Sequence, residues 1–374
     1  MKGLTFESAV ELRNGVKMPL IGYSTEEHAY SHRTEYDILR DAIELGYRYF
    51  ELSYEDDCLV PLRKAIEKSG IPREEFFVSI KIGEDENRLN SAPGAINEIL
   101  EQFGGGYLDL ITMPWPFWMT ANAVWSGNHN LSKTANGHPI GLQDVYNDKI
   151  ARAVGVCNFD IKHLEALKEY PFFSFLPMVN LNQFHPLYTC KALREYCKEN
   201  QIQFVKTFET NRALEAKKPV FAVDVGMNGD LFEISERERR ANELTLGVNK
   251  EKVLKALEEE NPFYVESMRR QNVLEKQSVD PFDPACNPRS ETDFYAASKP
   301  LAEIAKKYGK TNRQMIDRWA LQHGAIVLIK GIWKEEMERG KDLFDFVLSE
   351  EEMAQIDSFN MEKRFGFHPD YIDF

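Results

Sequence analysis

Eight short apolar runs, most of them separated by stretches of helical spacing, constrain this chain more than any other feature. The runs at 20–23, 47–51, 76–81, 108–113, 153–156, 178–181, 203–207 and 325–329 read as buried strands. Amphipathic stretches at 34–45, 59–69, 95–103, 161–170, 192–200, 301–308 and 313–322 lie between most of them. Buried strands joined by helices run parallel, because a parallel pair needs a long crossover. Eight such units predict an α/β chain folded as a (β/α)8 TIM barrel. A doubly wound open sheet is the alternative, but no G-x-G-x-x-G follows the first strand. Ahead of that strand, residues 9–12, Asn14-Gly15 and 16–18 predict a β-hairpin.

Two stretches break the rhythm of what otherwise reads as one barrel over residues 1–374. Residues 116–140 form a Trp-, Asn- and Gly-rich loop after the fourth strand. Residues 209–298, after the seventh, are far too long for an ordinary βα connection. Within them, 251–259 has helical spacing, 233–240 is densely charged and 280–284 is turn-rich. Loops after barrel strands sit on the functional face. The long segment is therefore expected to be a partly helical lid or an assembly surface, the latter a route to a homo-oligomer. A solvated insert with no role at the pocket is the plain alternative.

The net charge of −14 opposes binding to nucleic acid or to anionic membranes. No run approaches the roughly 20 apolar residues of a membrane span, and the first residues lack a signal-peptide core. Five scattered cysteines without a C-x-x-C pair fit reduced thiols. Together these features lead to the expectation of a cytoplasmic protein. His28, His32, His185 and His368 have no paired Cys at ligand spacing, so no metal set emerges. His185, beside Pro186 at a strand end, reads as a structural histidine.

Several segments in order carry a resemblance. The opening Leu12-Arg13-Asn14-Gly15-Val16-Lys17-Met18-Pro19-Leu20-Ile21-Gly22 is followed by Gly46-Tyr47-Arg48-Tyr49-Phe50-Glu51 and by a stretch from Gly70 to Lys81. Gly155-Val156-Cys157-Asn158-Phe159, the run from Asn180 to Pro186, Ile326 to Gly331 and the tail from Phe365 to Phe374 complete the set. In these segments the chain resembles the aldo-keto reductase family, and in its tail the bacterial diketogluconate reductase branch. The resemblance implies a TIM barrel with an NADP(H)-dependent carbonyl reductase site: an aspartate, a tyrosine, a lysine and a histidine at successive strand ends.

At those four places this chain has Glu51, Asp56, Lys81 and Pro114. The tyrosine serves the family as a general acid. A carboxyl in its place is, at neutral pH, roughly a thousandfold short of its acid form. Burial beside Glu51 is expected to favour one protonated carboxyl of the two, with Lys81 pulling the other way. Tyr54 is a minor candidate to substitute. Pro114 offers no side-chain donor. Trp115, Phe117 and Trp118 follow it and are expected at a pocket mouth, with core packing as the alternative. Glu51 and Lys81 read either as an ion pair poised for proton transfer or as an inherited salt bridge.

On the cofactor side, the resemblance leaves Asn158 and Lys330 in place. Cys157 replaces a serine and reads as small buried filler or a pocket thiol. The glutamine that would hold the nicotinamide amide falls on Leu181. The stacking tyrosine falls on Thr207, with Phe208 next to it. The phosphate-gripping arginine falls on Glu336, and an acidic-amide pair falls on Arg339-Gly340. Glu26 stands where an aromatic is usual. Loss of stack, amide contact and clamp removes about 1–3 kcal/mol each.

These residues favour a barrel that has lost NADP(H)-driven reduction and binds a small-molecule ligand or a protein partner. In that reading no cofactor is expected, or NADP(H) only weakly. A non-redox isomerase or lyase using Glu51, Asp56 and Lys81 is the first alternative, and a divergent NADP-dependent oxidoreductase the second.

Overall fold

The fold is known from a computed structural model, which describes residues 3–25, 33–53, 58–82, 92–116, 141–169, 173–207 and 298–364. The inserted segment 209–298, except Ser298, lies outside the described residues, as do Glu26, His28, His32, Tyr54, Asp56, Phe117, Trp118, Phe208 and the tail. The chain divides into two units, and the barrel unit takes 1–208 and 300–362.

The chain opens with strands β1 (Ala9–Glu11) and β2 (Lys17–Pro19), paired antiparallel with Val10 opposite Met18. Their turn needs Gly15 at φ +84°. Asn14 ties the turn down: its Nδ2 donates to Arg152 O at 2.8 Å, beside the start of a barrel strand. Leu12, Val16 and Met18 are buried among Phe77, Leu110, Ala153 and Val179. The hairpin therefore plugs the N-terminal end of the barrel and leaves the C-terminal end for a site.

Units of strand and helix follow: β3 (Ile21–Ser24), α1 (Glu35–Glu44), β4 (Tyr49–Ser53), α2 (Leu59–Ser69), β5 (Phe77–Lys81), α3 (Ala92–Gln102) and β6 (Leu108–Met113). Then come α4 (Leu142–Asn147), β7 (Ala151–Cys157), α5 (Ile161–Lys168), β8 (Val179–Gln183), α6 (Lys191–Glu199) and β9 (Gln203–Thr207). The last barrel unit is α7 (Lys299–Tyr308), α8 (Asn312–Gln322) and β10 (Ile326–Ile329), trailed by α9 (Lys334–Glu338) and α10 (Glu350–Asp357). Side-chain caps start several helices: Thr34 accepts from Asp37 N, Thr311 from Gln314 N and Ser349 from Glu352 N. Gly70, left-handed at φ +68°, ends α2.

The eight parallel strands close in the order β10-β3-β4-β5-β6-β7-β8-β9. This is the expected (β/α)8 barrel with its N-terminal hairpin. Alternation along each strand sends one set of side chains inward. Tyr49, Phe77, Leu110, Ala153, Leu181, Val205, Ile326 and Leu328 fill the interior as one buried cluster. The other set packs against the helices, and on β9 that set includes Lys206, paired with Asp317 of α8 at 3.1 Å.

Strand limits differ from the sequence-based expectation by about two residues. β4 starts at Tyr49 and runs on to Ser53, because Ser53 pairs with Lys81. β8 runs on to Gln183, opposite Thr207. Helix α4 is an unforeseen element. Its six residues are too few to show a helical period, but Leu142, Gln143 and Val145 are buried.

Candidate active site

Register places the polar groups of the barrel mouth. Glu51 on β4 lies beside Ser24 of β3 and Ser79 of β5. Ser24 Oγ donates to Glu51 Oε2 at 2.7 Å, and Thr25 N donates to Glu51 O at 3.1 Å. Lys81 Nζ stands 3.8 Å from Glu51 Oε1. The carboxylate side chain is 4% exposed and the ammonium side chain 16%, so the pair opens outward through the lysine. At 3.8 Å the contact is an ion pair longer than the 2.7–2.9 Å of a tight charge-assisted bond. Glu51 and Lys81 are thus brought together; Asp56, the third member of the expected set, lies outside the described residues.

Across the barrel the mouth is less polar. Pro114 follows β6 directly, and its carbonyl accepts from Asn158 Nδ2 at 3.3 Å. Asn158 sits just past β7 at φ +62°, a left-handed conformation that asparagine tolerates. Its backbone N–H donates to Leu181 O at 2.7 Å. The amide of Asn158 is therefore turned onto Pro114. Trp115 is buried at 6% exposure. Cys157 is a buried thiol of the interior cluster, and Leu181 packs there too.

Sequence reasoning passed over Ser24, Gln183 and Tyr49. Gln183 ends β8 on the same face as Leu181 and is fully buried, with Thr207 as its register partner. The signal for it was the two-residue alternation itself, carried one step beyond the expected strand end.

The loop after β10 carries the second half of the site. Lys330 is buried at 5% exposure. Tyr23 Oη donates to Gly331 O at 2.5 Å and Arg33 Nη1 to Ile332 O at 2.5 Å, while Arg33 also grips Asp41 at 2.6 Å and lies over the Trp333 ring. Glu336 folds back over this loop. Its Oε2 accepts from Ile332 N at 2.9 Å and Trp333 N at 3.1 Å. Two backbone donors at the start of α9, where a negative charge is favoured, are thus held by the protein's own carboxylate. The capping-box pattern was hidden in the sequence because Trp333, not Ser or Thr, precedes the helix. Gly340 admits no side chain: a Cβ there would run into Tyr47 Oη and Ile329.

Two positions that the family resemblance assigns to a nicotinamide dinucleotide bear other groups here. The position expected to grip its phosphate bears a carboxylate that already uses the nearby amides, and the position expected to hold its amide is Leu181. Among the described residues there is no group of three or more His, Cys, Asp or Glu side chains placed to hold a metal ion.

A profile of the Aldo/keto reductase family matches residues 20–211 and 244–361. A glyoxal reductase of Bacillus subtilis (strain 168) is 27% identical over 99% of this chain and 99% of its own length. A 9,11-endoperoxide prostaglandin H2 reductase of Trypanosoma cruzi (strain CL Brener) is 26% identical over 97% of this chain and 95% of its own. Among solved structures, MGS-M4, an aldo-keto reductase enzyme from a Medee basin deep-sea metagenome library, matches with a TM-score of 0.64. That match covers 98% of this chain and 100% of the other at 23% identity, a likeness of fold. The matched segments span both halves of the barrel and the loop bearing Lys330 and Glu336, so this chain belongs to the aldo/keto reductase family.

Proposed function

We propose that this barrel has given up NADP(H)-dependent carbonyl reduction and binds a small oxygen-bearing ligand at the Glu51–Lys81 mouth. The observation that carries the reading is Glu336 on the amides of Ile332 and Trp333. A dinucleotide phosphate brought to this loop meets a like charge and finds two of its donors taken. Charge-assisted bonds of this kind are worth about 1.5–3 kcal/mol each, so displacing the carboxylate is costly. Relatives named glyoxal reductase and methylglyoxal reductase DkgA support a small, oxygenated ligand.

The test is calorimetric titration of the full chain with NADPH and with NADP⁺. No micromolar binding is expected for either. Glu336→Arg, which returns the charge and frees the amides, is expected to gain at least tenfold in NADPH affinity. Micromolar binding by the unaltered protein, with turnover of any aldehyde, overturns the proposal.

A second reading draws on the Glu51–Lys81 contact and the Ser24 bond that orients it. A carboxylate facing the C–H beside a carbonyl, with an ammonium on the carbonyl oxygen, can remove and return that proton through an enol without a hydride carrier. Deuterium wash-in from D2O at the carbons beside the carbonyl of dihydroxyacetone, followed by NMR, measures this. In this reading the exchange is catalysed and Lys81→Met abolishes it. Uncatalysed exchange, or exchange indifferent to Lys81→Met, removes the acid–base reading.

A further inference from the structure

Beneath Glu51 the barrel interior holds three hydroxyls that the chemistry above does not use. Tyr49 precedes Glu51 by two residues on β4, so both side chains enter the barrel on the same face. Its Cα lies about 7 Å deeper along the strand, a distance a phenol nearly spans. Ser79 is the register partner of Glu51, and Thr112 is the register partner of Lys81. All three residues are 0% exposed. Among the described residues no hydrogen bond of good geometry reaches Tyr49 Oη, Ser79 Oγ or Thr112 Oγ1, although the Ser79 hydroxyl stands close enough to the Tyr49 phenol to act on it. Buried polar atoms nearly always have a well-formed partner, and three without one in a single region is a cost that a guest oxygen would relieve.

The backbone is cut to admit this arrangement. A Cβ at Gly22 would run into the Tyr49 ring and Leu328, and one at Gly155 would meet Val179 O at 2.8 Å and Thr112 Cγ2 at 3.2 Å. The ring is fixed edge-to-face on Phe77 at 5.0 Å. Burial, and then the charge of Glu51, push the Tyr49 phenol well above its ordinary range against the weaker opposing pull of the Ser79 hydroxyl and Lys81, so it stays protonated and donates.

We propose that Tyr49, Ser79 and Thr112 floor a binding subsite for the carbonyl or hydroxyl oxygen of a small uncharged ligand, with the Tyr49 phenol as donor and the Glu51–Lys81 pair above it. The subsite deepens the ligand-binding reading and rests on it. An anion is disfavoured there because the neighbouring Glu51 carboxylate repels it. A neutral oxygen accepts from the phenol and from either smaller hydroxyl without bringing a charge into the core. Dihydroxyacetone has the required features, a carbonyl flanked by hydroxyls on three carbons, and serves as the probe. Glycerol is the arm that carries hydroxyls only.

Thermal midpoints of the full chain, Tyr49→Phe and Thr112→Val are measured with and without each probe. Tyr49→Phe removes one oxygen and keeps the ring against Phe77, so the fold is retained. Dihydroxyacetone is expected to raise the unaltered protein's midpoint by a few degrees, and both variants are expected to lose most of that rise. A variant-sensitive rise with glycerol as well assigns the guest oxygen to a hydroxyl; a rise with dihydroxyacetone alone assigns it to the carbonyl. No rise with either probe, or an equal rise in all three proteins, overturns the subsite. Tight NADPH binding would sink the cofactor-loss reading without touching this outcome, and the two failures are told apart.

Discussion

Lys206 and Asp317 meet at 3.1 Å between β9 and α8, with side chains 0% and 3% exposed. Two charges withdrawn from water repay their desolvation only while both are present. Lys206→Met alone leaves a carboxylate stranded against the barrel wall and is expected to cost about 3–5 kcal/mol of unfolding free energy, read from urea denaturation. Lys206→Met with Asp317→Leu is expected to recover most of that loss; a double variant as weak as the single one would show that the charge itself, not its pairing, holds β9 to α8. This pair was partly legible beforehand. Val205 and Thr207 point inward, so Lys206 must face a helix, and a lysine in a buried run calls for an acid opposite. Which acid was not legible, because strand alternation gives no distances across the strand–helix layer. The same limit applies at the mouth. The residue types at Glu51 and Lys81 were evident, but the Ser24 bond that orients Glu51, and the inward fold of Glu336, depend on close approach between segments far apart in the chain.

At the scale of elements, one carboxylate ties the last described helix, α10, to α8. Asp357 Oδ1 accepts from Trp319 Nε1 at 2.8 Å and lies 2.8 Å from His323 Nε2. Burial, and then the nearby Arg194, hold His323 below the usual histidine range, outweighing the opposing pull of Asp357. The sign follows from linkage. The unfolded chain takes up a proton below about pH 6.5, while the folded chain resists it until a lower pH. The contribution of neutral His323 is complete above that range and is lost as pH falls toward the depressed folded value. The thermal midpoint is therefore expected to fall between about pH 7 and pH 5, and His323→Gln to flatten that slope relative to the unaltered chain. An unchanged slope in His323→Gln would assign the acid sensitivity to carboxylates instead. Elements with many periods, such as α1, α2 and α8, were legible in the sequence, as were all eight barrel strands. The short α4 and α9, of six and five residues, were not, because their formation depends on the tertiary surface they cover rather than on a repeating pattern.

For the whole molecule, the question is whether the barrel needs residues 209–298. β9 hydrogen-bonds to β8 and to β10 by its own residues, at Asn180–Phe204 and Ile326–Val205 among others. Helices α7 and α8 bury Leu301, Ile304, Met315 and Trp319, all in the unit that holds the strands. The ring of strands therefore closes on contacts supplied by 203–207 and 299–329, and an ordinary connection of about 2–6 residues suffices between a barrel strand and its helix. Replacing 211–296 by a short Gly-Ser joint is expected to leave far-UV circular dichroism per barrel residue intact and unfolding cooperative. A non-cooperative or unfolded product would show that the segment is part of the barrel's core and not an insertion into it. The same protein separates the roles proposed for the segment. If it is an assembly surface, native mass spectrometry of the full chain shows a homo-oligomer and the excised chain a monomer. If it is a lid, the assembly state is unchanged and the dihydroxyacetone-induced rise in thermal midpoint shrinks on excision. If neither changes, the segment acts on neither the mouth nor the assembly, and the acidic barrel with its Glu51–Lys81 pair carries the ligand chemistry alone.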